Sequence, residues 1–146
     1  MKDHKFKLDR VLEYKTSLEG LLKKEYMALK GKAEAEEEKL RKEMKDYEAH
    51  VQGLVEKGEI TARELSVYNS RMDGLKVRLK KGCALVDDAK KETEKKREEL
   101  VEASKGRKTL DALKNKDIVR HIRSEIKKEQ RLTDEFSTNR FFNKED

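Results

Sequence analysis

Proline and tryptophan are absent from this 146-residue chain, cysteine occurs once, and aromatic residues make up only 5%. Without proline, nothing in the chain breaks a helix interior by removing an N–H and clashing with the preceding turn. Cys83 stands alone and closes no intrachain disulfide, in keeping with a reducing compartment. No apolar run approaches the ~18 residues of a membrane span, which argues against an integral membrane segment. Residues Met1 to Arg10 hold no apolar signal core, so a cytoplasmic location is expected. Apolar residues reach only 34%, too few for a round core that offsets chain entropy. There is no Gly-rich phosphate loop, CxxC, HExxH, or Ser/His/Asp arrangement other than on a helix face, so neither an enzyme nor a cofactor is expected.

What the chain has instead is charge. Asp, Glu, Lys and Arg make up 47% of it, nearly twice the roughly 25% of ordinary globular domains. The 37 bases and 31 acids nearly cancel, to a net +6. Mixed signs with abundant Leu, Ala, Glu and Lys describe long helices rather than a self-repelling disordered chain. Full stop-and-start signals occur at one place. Lys57-Gly58 ends a helix, and Thr61-Ala62-Arg63-Glu64 forms a capping box, with Ile60 and Leu65 as its hydrophobic staple. The expected layout is one coiled-coil domain over 1–146: helix 1 over about 5–57, a turn at 58–61, and helix 2 over about 62–140.

Periodicity points to the same turn. Helix 2 keeps a 3-4 spacing through Leu65, Tyr68, Met72, Leu75, Leu79, Gly82, Val86 and Ala89, and helix 1 does so through Leu40, Met44, Tyr47, Val51 and Leu54. Upstream, Leu18, Leu22, Tyr26, Leu29, Ala33, Glu37 and Leu40 follow an eleven-residue rhythm that straightens a supercoil. Folding the chain back pairs Leu54 with Leu65, Val51 with Tyr68, Tyr47 with Met72, Met44 with Leu75, and Leu40 with Leu79, all with residue numbers summing to 119. The fold class is therefore all-α: a long antiparallel two-helix coiled coil, an α-helical hairpin. Glu36, Glu37 and Glu38 are expected beside Lys80 and Lys81. Five apolar layers near the turn predict a firm tip, and Glu37 against Gly82 or Leu22 against Lys96 predicts a softer shaft.

The same register pairs Phe6 with about Leu113 and leaves everything from Lys114 onward overhanging by about 40 Å. That overhang carries Ile118, Ile122 and Ile126, then Leu132 and Phe136, among seven bases and three acids over 114–131. An apolar stripe on an unpaired basic helix fits a partner surface in an acidic cavity, or packing in a homodimer. Nucleic acid is the third reading, given a pI near 9.2, but interleaved acids count against it and only 114–131 qualifies. His121 and Glu125 share a face and read as a solvated pair rather than a metal site. His50 reads as a flank residue, His4 as part of a fraying terminus, and Cys83 as a small packing residue or a reactive thiol.

The opening Phe6-Lys-Leu8-Asp-Arg-Val11-Leu12-Glu13-Tyr-Lys15, with Glu19 and Glu25, resembles the start of the FliJ family of flagellar protein export. The closing Ile126-Lys-Lys-Glu-Gln130-Arg-Leu-Thr-Asp134-Glu135-Phe136 is similar to that family's basic terminal helix. The resemblance implies a hairpin like the gamma stalk of rotary ATPases, peripheral at the inner-membrane face of the flagellar base. It implies a hexameric export ATPase of the FliI family as partner, met by Ile118, Arg120, Ile122, Arg123, Ile126, Lys127, Lys128, Arg131, Leu132 and Phe136. It also implies contact with the export gate protein FlhA and with export chaperones. The positions of corresponding type for the gate are Leu40, Met44, Tyr47, Tyr68, Met72, Leu75 and Leu79, which are equally the best core layers. A virulence-type secretion stalk, sharing the fold, stays open beside the flagellar reading.

Overall fold

The computed structural model describes residues 5–142, so His4 and the segment from 143 onward lie outside it. Two helices account for nearly all of this: α1, Asp9–Lys57, and α2, Ala62–Phe142. The first helix starts later than expected. The carbonyl of Phe6 accepts from the N–H of Asp9 at 3.2 Å, so residues 6–9 turn and tuck the Phe6 ring inward, where it is buried.

Between the helices, Gly58 sits at φ +69°, the left-handed position that closes a helix and that residues with a Cβ adopt only at a cost. Thr61 and Glu64 then bond reciprocally. The Glu64 N–H donates to Thr61 Oγ1 at 3.2 Å, and the Thr61 N–H donates to Glu64 Oε2 at 3.0 Å. This supplies partners for two of the donors that a helix start leaves free. Lys57 Nζ approaches the same carboxylate at 3.7 Å.

Contacts group the chain into two compact units, Gly20–Val101 and Met1–Glu19 with Glu102–Asp146. In the first, α1 and α2 run antiparallel about a seam. His50 stacks on Tyr68 with ring centroids 4.1 Å apart, Glu37 meets Lys90 at 2.6 Å, and Glu25 meets Lys96 at 3.1 Å. Along α2 the half-covered positions of this unit are Tyr68, Met72, Leu79, Gly82, Ala89, Thr93, Lys96 and Leu100, with Leu75 and Val86 buried among them.

The α1 side of this seam differs from the expected one. Glu36 and Glu43 are half-covered, whereas Glu37 and Met44 are exposed. Gly82 explains the exchange. Lacking a side chain, it leaves room for Leu40, whose Cδ1 lies 3.0 Å from where a Cβ would stand, and for a Glu43 carboxylate oxygen 3.2 Å away. Gly82 therefore meets Leu40 and Glu43 rather than Glu37. The glutamates follow: Glu36 pairs with Lys39, Glu38 with Arg41, and Glu37 with Lys90, instead of with Lys80 and Lys81.

Nor is the turn end the best-packed part. Leu65 is 41% and Met44 49% exposed, while Ala33 and Val86 in mid-seam fall to 7% and 5%. Small and branched side chains fit the narrow strip between two helices, but longer ones reach past its edge.

The second unit is also antiparallel. Asp9 accepts from Lys114 Nζ at 2.7 Å, the Lys15 ammonium lies beside Gly106, and Arg107 bridges Glu19 and Asp111. Leu12 is its buried α1 residue. The Arg107 guanidinium, bonded to Glu19, holds that carboxyl below its ordinary value, with Ser104 as a further donor.

Two expectations follow. Gly58→Ala should cost about 1 kcal/mol through the left-handed φ. Gly31→Ala, where a Cβ meets nothing within 4 Å, should gain about 0.5–1 kcal/mol. Urea midpoints followed by helical circular dichroism check both. For Glu19, a depressed folded-state pKa means stability that is present above the unfolded value of about 4.3 and lost as pH falls through the lower folded value. Glu19→Gln should therefore lower the urea midpoint at neutral pH, and that difference should shrink toward about pH 3.

Candidate partner surface on the α2 end

Among the described residues the last cross-helix ion pair is Asp9–Lys114, and beyond it Phe6 and Leu8 line a shallow cleft with Leu113, Lys116, Asp117 and Arg120. Lys114 is thus partnered, contrary to the expected overhang, and half-covered positions continue as far as Glu125, so that unbroken exposure begins only at Ile126. From Ile118 to Phe142, α2 continues for about 36 Å. Its apolar side chains are open to solvent: Ile118 36%, Ile122 45%, Ile126 48%, Leu132 54% and Phe136 73% exposed.

The isoleucines do not prolong the seam. The half-covered positions of α2 run on through Leu110, Lys114, Asp117, His121 and Glu125, so the seam face becomes polar here. At about 100° per residue, Ile118, Ile122 and Ile126 lie on a neighbouring face, advancing about 40° with each i, i+4 step. A second face carries Lys116, Arg120, Arg123, Lys127, Lys128 and Arg131, which line one open surface together with Val119 and Ser124. Lys128 bonds Glu125 at 2.7 Å and pulls that carboxyl below its usual value. The other five bases form no ion pair among the described residues. Interleaving along the chain thus hides segregation around the helix. The 4-3-4-4 spacing of bases from Lys116 to Arg131 was the legible signal of it.

The residues named for the gate sit elsewhere, in the seam of the Gly20–Val101 unit. Leu75 is buried; Leu40, Tyr47, Tyr68, Met72 and Leu79 are half-covered; Met44 is exposed. Two other side chains differ from expectation. Cys83 is exposed rather than packed. His50 is more than a flank residue: its ring stacks on Tyr68, and its Nε2 lies 3.4 Å from the Tyr68 carbonyl oxygen. These two rings wall a cleft of about 550 Å³ beside the turn, with Lys57, Glu64 and Arg71 at its rim. The expected pairing of Val51 with Tyr68 already put His50 near that ring, but the stacking itself depends on how the two side chains face each other across the helices.

Among the described residues, no helix is long and apolar enough to cross a membrane. No curated protein and no solved structure matches the chain. One family does, the flagellar FliJ protein family, over residues 4–146. A two-helix, all-α chain matched from end to end in this way belongs to the FliJ family, whose place is in flagellar type III protein export.

Proposed function

We propose that the protein is a non-enzymatic, central-stalk-like component of the flagellar export apparatus. It binds the hexameric export ATPase ring of the FliI family, promotes ring assembly and activity, and couples the ring to the FlhA-type gate. The observation that carries this reading is the α2 segment beyond Lys114, where Ile118, Ile122, Ile126, Leu132 and Phe136 stand exposed. Apolar side chains in a row on a solvated helix are costly unless something covers them.

In this reading the isoleucines pack against the wall of the ring's cavity. Arg120, Arg123, Lys127, Lys128 and Arg131 steer the segment toward acidic groups and fix its orientation. The faces of the segment differ, so a ring whose subunits occupy unequal states meets a different surface at each. A stalk that binds those states unequally shifts their populations and makes hydrolysis cooperative; equal binding would change nothing. Export chaperones and the gate would meet other parts of the chain. The gate contact lies toward the turn, through Leu40, Met44, Tyr47, Tyr68, Met72, Leu75 and Leu79 to the extent that the seam leaves them open.

The test is stimulation of the matched export ATPase by wild type and by Ile122→Asp with Ile126→Asp. Both residues are about half exposed, so the variant should keep its helix content. Two isoleucines buried in a partner contribute roughly 1.5–3 kcal/mol each, so half-maximal stimulation should need at least about a hundredfold more variant. Undiminished stimulation at wild-type concentrations would reject the assignment.

A further inference from the structure

The stalk reading uses the bases of α2 for steering, but their alignment on one face has a further consequence. Lys116, Arg120, Arg123, Lys127 and Arg131 fall in one row about 22 Å long, all exposed. Of the nearby acids, Glu125 and Glu129 fall outside this row, Asp117 and Glu135 flank it, and Asp134 stands on the same face one turn beyond Arg131; the centre of the isoleucine stripe is about 140° around the helix from it. Elsewhere the helices mix their signs and pair them, as in Lys39–Glu36, Arg97–Glu94 and Lys105–Glu102. Here, five cations in line form no ion pair among the described residues.

We propose that this row docks the protein on an anionic lipid surface, by electrostatic contact with headgroup phosphates and without insertion. Clusters of four to eight bases on one helix face are attracted to such surfaces by about 1 kcal/mol per base. A plane touches one face of a helix only, which suits a chain whose other faces carry acids and isoleucines. A duplex major groove is the less suitable occupant, since its two phosphate walls would also flank the side that bears Asp117 and Glu125. The stretch 114–131 also has no Phe, Tyr or Trp on which an unpaired base would stack, and its one imidazole, His121, lies off the row. Docked through its cations, α2 turns the isoleucines away from the lipid and leaves them open to a protein partner. A segment enclosed by a ring cannot lie on a bilayer, so the two bindings exclude each other. The proposal does not rest on the stalk reading, because it requires no ATPase.

The experiment is co-sedimentation of the full chain with vesicles of phosphatidylcholine alone and of phosphatidylcholine mixed with phosphatidylglycerol. Binding is expected to the mixed vesicles only, and should fall steeply as salt rises. Arg120→Gln with Arg123→Gln and Lys127→Gln should weaken it about a hundredfold, whereas Ile122→Ser with Ile126→Ser should leave it unchanged. All five positions are exposed, and helix content by circular dichroism verifies that both variants fold. Equal binding to neutral vesicles, undiminished binding by the arginine and lysine variant, or loss with the serine variant would each overturn the proposal. So would binding of a duplex oligonucleotide at a salt concentration where the mixed vesicles bind nothing.

Discussion

Two helices shelter only a strip. In a bundle or a globule a core side chain is covered from several sides, but across a two-helix seam it faces a single neighbour and its flanks stay wet. That limit shapes the rest of the molecule. No side chain among the described residues is fully buried, and the best-covered are Val86, Ala33, Phe6, Leu12 and Leu75. With so little closed interior, a charged residue in the seam is inexpensive. Lys96 and Arg107 sit there with about a quarter of their side chains exposed and with carboxylates within reach. The same limit shows why Gly82 matters. An absent side chain makes a gap that a seam this thin fills with Leu40 and Glu43.

Charge does two kinds of work in such a molecule. Pairs within one helix, such as Arg97 with Glu94 or Lys105 with Glu102, are exposed and worth about 0–1 kcal/mol each; their main effect is to keep long solvated helices helical and soluble. Pairs across the seam carry information instead. Glu37–Lys90, Glu25–Lys96, Glu19–Arg107 and Asp9–Lys114 join particular positions of α1 to particular positions of α2, and so discriminate between registers that a thin apolar strip by itself would separate poorly.

The end of α2 follows neither pattern. Its apolar residues leave the seam face, its bases gather on another, and its seam positions become Asp117, His121 and Glu125. A helix that served only to complete the fold would gain nothing from three chemically distinct faces. The arrangement makes sense as a surface offered outward.

Residues close together in sequence determined the elements. The absence of proline, the 3-4 rhythm of Leu and Ala, Gly58 after Lys57, and Thr61 with Glu64 act over one or two helical turns. They therefore establish two long helices, their antiparallel pairing and the turn between them whatever else the chain does. The ends of the chain, from Phe6 to Lys15 and from Ile126 to Phe136, were enough to show the family. Tertiary structure decided what depends on a partner strand of helix. It placed Leu40 and Glu43 rather than Glu37 toward Gly82, brought His50 onto Tyr68, and separated the isoleucines from the bases around one helix. Those outcomes turn on room and facing across the seam, quantities that arise only once two distant stretches are side by side.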